Sequence, residues 1–239
     1  MFKKSLLVAS VLGVGGVASG IALADTGMSS TYCKPGFYAG IQAGRGDTFY
    51  NQADVLSEAV TYSGYYGHNV VPGSADVDSV GISGRIYAGY QFNPYFALEA
   101  GYTQFNKTDF TQSFGYIDQS RYTTDKFDGE VTEHATDIVG KLTMPFQYGF
   151  GAYIKAGAAY IAADRHINFT EIQSNGSAIP QETLYTKSYQ AVRPTYGIGL
   201  DYTIPCTSLD VDVSYTEIAG GGGIPKTGLA AIGISDKFA

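Results

Sequence analysis

Apolar and small or polar side chains alternate one for one in eight separate segments of this chain. That is the period of a strand whose two faces meet different surroundings. The first segment sets Phe37, Ala39, Ile41 and Ala43 against Tyr38, Gly40, Gln42 and Gly44. The second sets Ile86, Ala88, Tyr90 and Phe92 against Arg85, Tyr87, Gly89 and Gln91, and the third sets Phe96, Leu98, Ala100 and Tyr102 against Ala97, Glu99, Gly101 and Thr103. Segments 137–146, 153–160, 196–204, 209–216 and 230–238 repeat the pattern. The connections alternate as well. Asn93-Pro94, residues 147–151 and Pro205-Cys206-Thr207 are tight turns, while 46–81, 107–132 and 164–191 are long and 219–227 is Gly-rich.

Short turns at one end and long loops at the other predict an all-β fold, an eight-stranded antiparallel up-and-down transmembrane β-barrel with long extracellular loops and short periplasmic turns. A soluble eight-stranded barrel also alternates, but it needs a charged outer face over a bulky apolar interior. Here the polar face carries one or two charges per strand among Gly89, Gly101, Gly157, Gly197 and Gly199, which suits a narrow filled lumen, and the apolar face is continuous. Phe37, Tyr90, Phe92, Tyr102, Phe146, Tyr160, Tyr196 and Tyr202 stand near strand ends, where interfacial aromatic girdles belong.

The N-terminus agrees. Lys3 and Lys4 precede an uncharged run from Ser5 to Ile21, and Ala22-Leu23-Ala24 has the small-x-small form of a cleavage site. Residues 1–24 are expected to be a signal peptide, 25–35 a periplasmic lead segment and 36–239 the barrel. The chain has 20 Tyr, 31 Gly and no Trp, and its formal net charge is −7. An acidic chain of this kind argues against nucleic acid as a partner. The expected partners are outer-membrane lipid and, during biogenesis, the barrel-insertion machinery.

Tyr90-Gln91-Phe92-Asn93-Pro94-Tyr95-Phe96-Ala97-Leu98-Glu99-Ala100-Gly101-Tyr102 resembles the second hairpin of the transmembrane domain in the outer-membrane protein A (OmpA) family. Gly140–Pro145 and Ala231–Phe238 resemble its fourth and eighth strands. The resemblance covers strands and short turns, and none is seen in the long loops. It implies that the final run, with Gly233, Ile234 and Phe238, is the signal read by the insertion machinery. Asp236 stands where the family carries an aromatic, and Ala239 follows the Phe. The family's periplasmic peptidoglycan-binding domain has no counterpart here, so such anchoring is not expected.

The resemblance also places Glu99 and Lys141 in an internal ion-pair network, with Lys155 and Asp201 at further charged lumen positions. Asp212 falls where the family has an Arg. The pattern by itself sets Arg85, Lys141 and Lys155 against Glu99, Asp201 and Asp212 across one interior. Eight strands leave room for side chains rather than an open pore, and confined charges must pair. A Glu99–Lys141 pair is expected, acting as structural glue or as the gate of an ion path.

No catalytic constellation stands out, and no cofactor or metal site is expected. His68, His134 and His166 share no ligand spacing. Glu133-His134-Ala135-Thr136 is the nearest approach to the rim His and Ser of lipid-modifying barrels, with Thr in place of Ser. Gly220–Gly223 precedes no helix and reads as a flexible turn. The loops at 46–81, 107–132 and 164–191 are where a host or extracellular ligand would bind, the first two being rich in Tyr and Phe. Two function classes therefore stay open: a structural and surface-interaction protein such as an adhesin, and a small-solute or ion channel. Cys33 precedes the first strand and Cys206 sits in a short turn at the same end, about two strand spacings or ~10 Å away. Lys34-Pro35-Gly36 can fold across that gap, and a Cys33–Cys206 disulfide is expected in an exported chain.

Overall fold

The computed structural model describes residues 35–49, 70–71, 74–118, 121–172, 182–221 and 223–238. The proposed leader and Cys33 lie outside them. The described chain is almost all strand: β1 (Gly36–Phe49), β2 (Val70–Val71), β3 (Ala75–Asp78), β4 (Val80–Asn93), β5 (Phe96–Gln104), β6 (Thr108–Asp118), β7 (Arg121–Pro145), β8 (Phe150–Ile172), β9 (Glu182–Thr203), β10 (Leu209–Ile218) and β11 (Lys226–Phe238). Every pairing is antiparallel, and β1 joins both β4 and β11. The ring β1–β4–β5–β7–β8–β9–β10–β11 is therefore closed, with eight strands. Closure leaves no unpaired backbone in the hydrocarbon, where an orphan amide or carbonyl would cost several kcal/mol.

Parity sorts the side chains. Each ring strand exposes one branched aliphatic at mid-height: Ile41, Ile86, Leu98, Ile138, Ile154, Ile198, Val213 and Ile232. Their neighbours in sequence turn inward, among them Gln42, Arg85, Glu99, Lys155 and Asp212, all buried. At the short-turn end Phe37, Phe92, Phe96, Phe146, Phe150 and Phe238 face outward, with Phe37 edge-on to Tyr90 at 4.8 Å and Phe92 stacked on Phe96 at 5.5 Å. Tyr102, Tyr160, Tyr196 and Tyr215 mark the other end. Two aromatic girdles thus bound the lipid-facing band, and the short turns lie on the periplasmic side.

Within 107–132 and 164–191 the described residues are nearly all strand rather than loop. Past the outer girdle β7, β8 and β9 stay paired to one another, β6 pairs with the upper part of β7, and β2 and β3 pair with β6. The physical reason is that the alternation continues with its sign reversed. Along β8 the outward series Ile154, Ala156, Ala158, Tyr160 gives way to Asp164, His166, Asn168 and Thr170, while Ile161 and Ala163 turn inward and are buried. Along β7, Val131 is buried and Lys126, Asp128 and Glu130 share the outer face. Lipid requires an apolar outside, and water requires the opposite. The strands leave the membrane at about residue 161 on β8 and rise as an extramembrane sheet. Its inner side is held by a cluster of Phe110, Val131 and Ala163, against which Val77, Ile167 and Tyr189 pack.

The link over 219–225 also departs from a free turn. Ile224 is buried, Gly221 and Ile224 bridge each other, Ala219 N donates to Pro194 O at 3.0 Å, and the Arg193 guanidinium donates to Gly221 O.

Candidate functional site

The lumen between the girdles is filled from side chains on all eight ring strands. Glu99 is its centre. Lys155 Nζ lies 2.7 Å from Glu99 Oε2, Arg85 Nη1 lies 3.5 Å from the same oxygen, and Tyr38 OH donates to Oε1 at 2.9 Å. Arg85 makes a two-point contact with Asp137, at 2.6 Å and 3.2 Å. Lys141 instead meets Asp201, at 3.4 Å, with its ammonium 4.1 Å from the Tyr153 ring centre. The expected Glu99–Lys141 contact is therefore replaced by Glu99–Lys155. Register sets the two lysines level: Lys155 pairs with Lys141 on β7, two residues to the periplasmic side of Val139, with which Glu99 pairs. Lys155 reaches outward to Glu99, and Lys141 meets Asp201. Asp212 accepts from Gln42 Nε2 at 2.6 Å and from Tyr153 OH at 2.9 Å, so its partners are neutral donors.

Asp137, Tyr38, Tyr87 and Tyr153 complete the network and were not singled out from the sequence. Each stands at an inward parity position, and each Tyr faces a Gly across the sheet: Tyr38 opposite Gly89, Tyr87 opposite Gly40, Tyr153 opposite Gly199. A Cβ at Gly40 would come within 2.6 Å of the Tyr87 ring, and one at Gly199 would overlap the Tyr153 ring. Tyr-opposite-Gly at lumen parity was the signal that could have found them. At the periplasmic mouth a cavity of ≈ 20 Å³, lined by Lys141, Asp201, Asp210 and Lys237 among others, has room for roughly one water.

The remaining sequence-level candidates separate. Gly233 turns inward against Asp212 and Gln42, while Ile234 and Phe238 face outward. Glu133 points into the lumen, whereas His134 lies outside the wall with its ring 6.0 Å from Tyr102, so the two form no acid–base pair. His166 is exposed and hydrogen-bonds Thr186 at 3.2 Å, and His68 lies outside the described residues. Among the described residues no three ligating side chains gather as a metal site. Cys206 is exposed in its turn, and its expected partner lies outside the described residues.

Above the outer girdle the sheet presents a polar face. Thr111 Oγ1 and Lys126 Nζ both donate to Asp128, at 2.9 Å and 3.1 Å. Ser188 donates to Asp164 at 2.5 Å, and Lys107 pairs with Glu130 at 2.6 Å. Such exposed contacts add little stability each, and they leave a hydrated, hydrogen-bonding surface on an ordered frame.

A family model described as the OmpA-like transmembrane domain matches residues 34–238 of the chain. An uncharacterized protein of Coxiella burnetii is 28% identical over 261 residues, and the alignment spans all of both chains. Among solved structures, Neisserial surface protein A is 15% identical with a TM-score of 0.46, covering 86% of this chain and 99% of that one. The Yersinia pestis attachment invasion locus protein Ail is 14% identical with a TM-score of 0.41, covering 84% and 98%. The N-terminal barrel of Pseudomonas aeruginosa OprF is 12% identical with a TM-score of 0.44, covering 86% and 100%.

Proposed function

The chain belongs to the OmpA-like transmembrane domain family and is an outer-membrane β-barrel, and we propose that its barrel is a closed anchor for the sheet it raises outside the membrane. On this reading the protein is a structural and surface-interaction protein, an adhesin or host-contact barrel, rather than a channel or an enzyme. A leader over residues 1–24 and the barrel-insertion machinery would deliver it. One observation carries the reading: the polarity of β7 and β8 reverses beyond the girdle while the pairing of β7, β8 and β9 continues. A chain that only had to close the barrel's outer end needs no second packed layer there. Ordered β-structure with a polar outer face holds a recognition surface at low entropic cost.

The filled lumen supports the anchor role. Removing one member of the Glu99 cluster strands a buried charge, so an open state would have to break several contacts together. The test is attachment of intact bacteria making the full-length chain to host cells or matrix proteins, with Asp128→Lys and Asp164→Lys on the outer face of the sheet. Attachment should fall while heat-modifiable folding in the membrane is unchanged. Unaltered attachment, together with steady porin-sized conductance in planar bilayers, would overturn the reading in favour of a channel.

A further inference from the structure

Glu133 is 1% exposed and belongs to neither the Glu99 network nor the outer face. It projects from β7 across the mouth of the barrel to the seam where the ring closes. There Thr48 of β1 and Thr227 of β11 are register partners, and both hydroxyls donate to Glu133 Oε2, at 3.3 Å and 3.0 Å. Its Oε1 is buried without a hydrogen-bond partner. One apolar layer, with Phe105, Ala135, Ile161 and Leu229, and a second, with Phe110, Val131 and Ala163, are drawn from residues on either side of it along β7 and β8. Tyr102 and Tyr160 of the outer girdle pair with Thr136, so Glu133 lies outward of the membrane-spanning band.

We infer that Glu133 is a proton-operated latch, tying β7 and the sheet above it to the β1–β11 seam while its carboxyl is neutral and releasing them when it ionises. Glu99, Asp137 and Asp201 each meet a cation, whereas Glu133 meets only hydroxyls. Among the described residues, the other charged groups on the lumen side of the strands around it are Arg165 of β8, Lys187 and Arg193 of β9, and Asp137 of β7. Arg165 lies over the Phe110 ring, Lys187 over the Tyr189 ring, Arg193 donates to Gly221 O, and Asp137 holds Arg85. A carboxylate between apolar layers has two hydroxyl donors and no counter-charge, and desolvation disfavours it. Burial, offset in part by those two hydrogen bonds, pushes the carboxyl up to about 7.

The sign follows from linkage. The closed mouth binds the proton more tightly than the opened, hydrated one, so closure is fully supported below the ordinary carboxyl range. It weakens as pH climbs from there to about 7 and then levels. This inference concerns how the raised sheet is held and requires no partner to be bound.

The test is hydrogen exchange of the full-length protein in lipid nanodiscs between pH 5 and 9, read at Val131–Ala135 and Thr227–Leu229 and corrected for intrinsic exchange chemistry. Opening at these amides should rise roughly tenfold per pH unit up to about 7 and then flatten, and Glu133→Gln should abolish the dependence. A Gln variant as pH-dependent as wild type overturns the latch. If that variant does not fold, carbon NMR of Glu carboxyls in the wild type decides: a titration near neutrality that disappears in the Glu133→Asp chain supports it, and no carboxyl still protonated at pH 6 overturns it. Neither readout involves attachment, so its failure is separable from failure of the surface-interaction reading.

Discussion

Lys155 of β8 reaches past the intervening strand β7 to place Nζ 2.7 Å from Oε2 of Glu99 on β5. Both side chains are within 5% of complete burial, so neither can be hydrated in exchange for losing the other. Glu99→Gln or Lys155→Met alone should each cost about 3–5 kcal/mol. The double variant should cost clearly less than the sum. Urea unfolding in lipid bilayers measures the cycle, and the parallel cycle of Glu99 with Lys141 should show the weaker coupling. Stronger coupling of Glu99 with Lys141 than with Lys155 would mean that Lys141, not Lys155, is the direct partner.

The lumen tyrosines need their glycines. Gly199→Val would force the Tyr153 ring off its hydrogen bond to Asp212 and crowd the interior, at about 1–3 kcal/mol. Gly199→Val combined with Tyr153→Ala should recover part of that loss. No recovery in the double variant would show that the ring does not occupy the space opposite Gly199.

Ile138 and Thr132 lie on the same outer face of β7, one below the outer girdle and one above it. Ile138 is 61% exposed in the lipid band, and Arg there should cost about 2–4 kcal/mol. Thr132 pairs with Asp164 beyond the band, and Arg there should stay within about 0.5 kcal/mol of wild type. Equal penalties at the two positions would remove the boundary between them.

The barrel was legible because lipid and lumen impose opposite demands on successive residues, and Leu98–Glu99 or Ile198–Gly199 states them plainly. The raised sheet was not, and the cause is physical. Around Ile161-Ala162-Ala163 the outside changes from lipid to water, so a reading tuned to an apolar outer face loses the strand there, although it goes on alternating. The lumen charges were found by parity, but their partners depend on register. A partner that reaches past an intervening strand, as Lys155 does to Glu99, is not visible in spacing along one chain. Glu133 was read only as the neighbour of His134, since burial between two apolar layers is a property of the assembled mouth.

A Cys33–Cys206 disulfide remains a proposal. Cys206 is exposed at the periplasmic end, two residues from Ser208, whose carbonyl accepts from Lys237 N of β11 at 3.1 Å. Because β11 pairs directly with β1, one strand separates the turn from the strand that follows Cys33. Unreduced protein from native membranes, digested between the two positions, should yield one linked peptide pair by mass spectrometry. Two alkylatable thiols would rule the bond out.

The central claim is that β8 crosses from lipid into water at about residue 161 without ceasing to be a strand. The most direct measurement is a fluorophore placed in turn at 154, 156, 158, 160, 164, 166 and 168, with quenching by a lipid-borne and by an aqueous agent. Positions 154 to 160 should be quenched from the lipid and positions 164 to 168 from the water, while labels at the inward positions 161 and 163 stay shielded from both. Lipid contact continuing through 168, or equal aqueous quenching at 161, 163, 164 and 166, would contradict it.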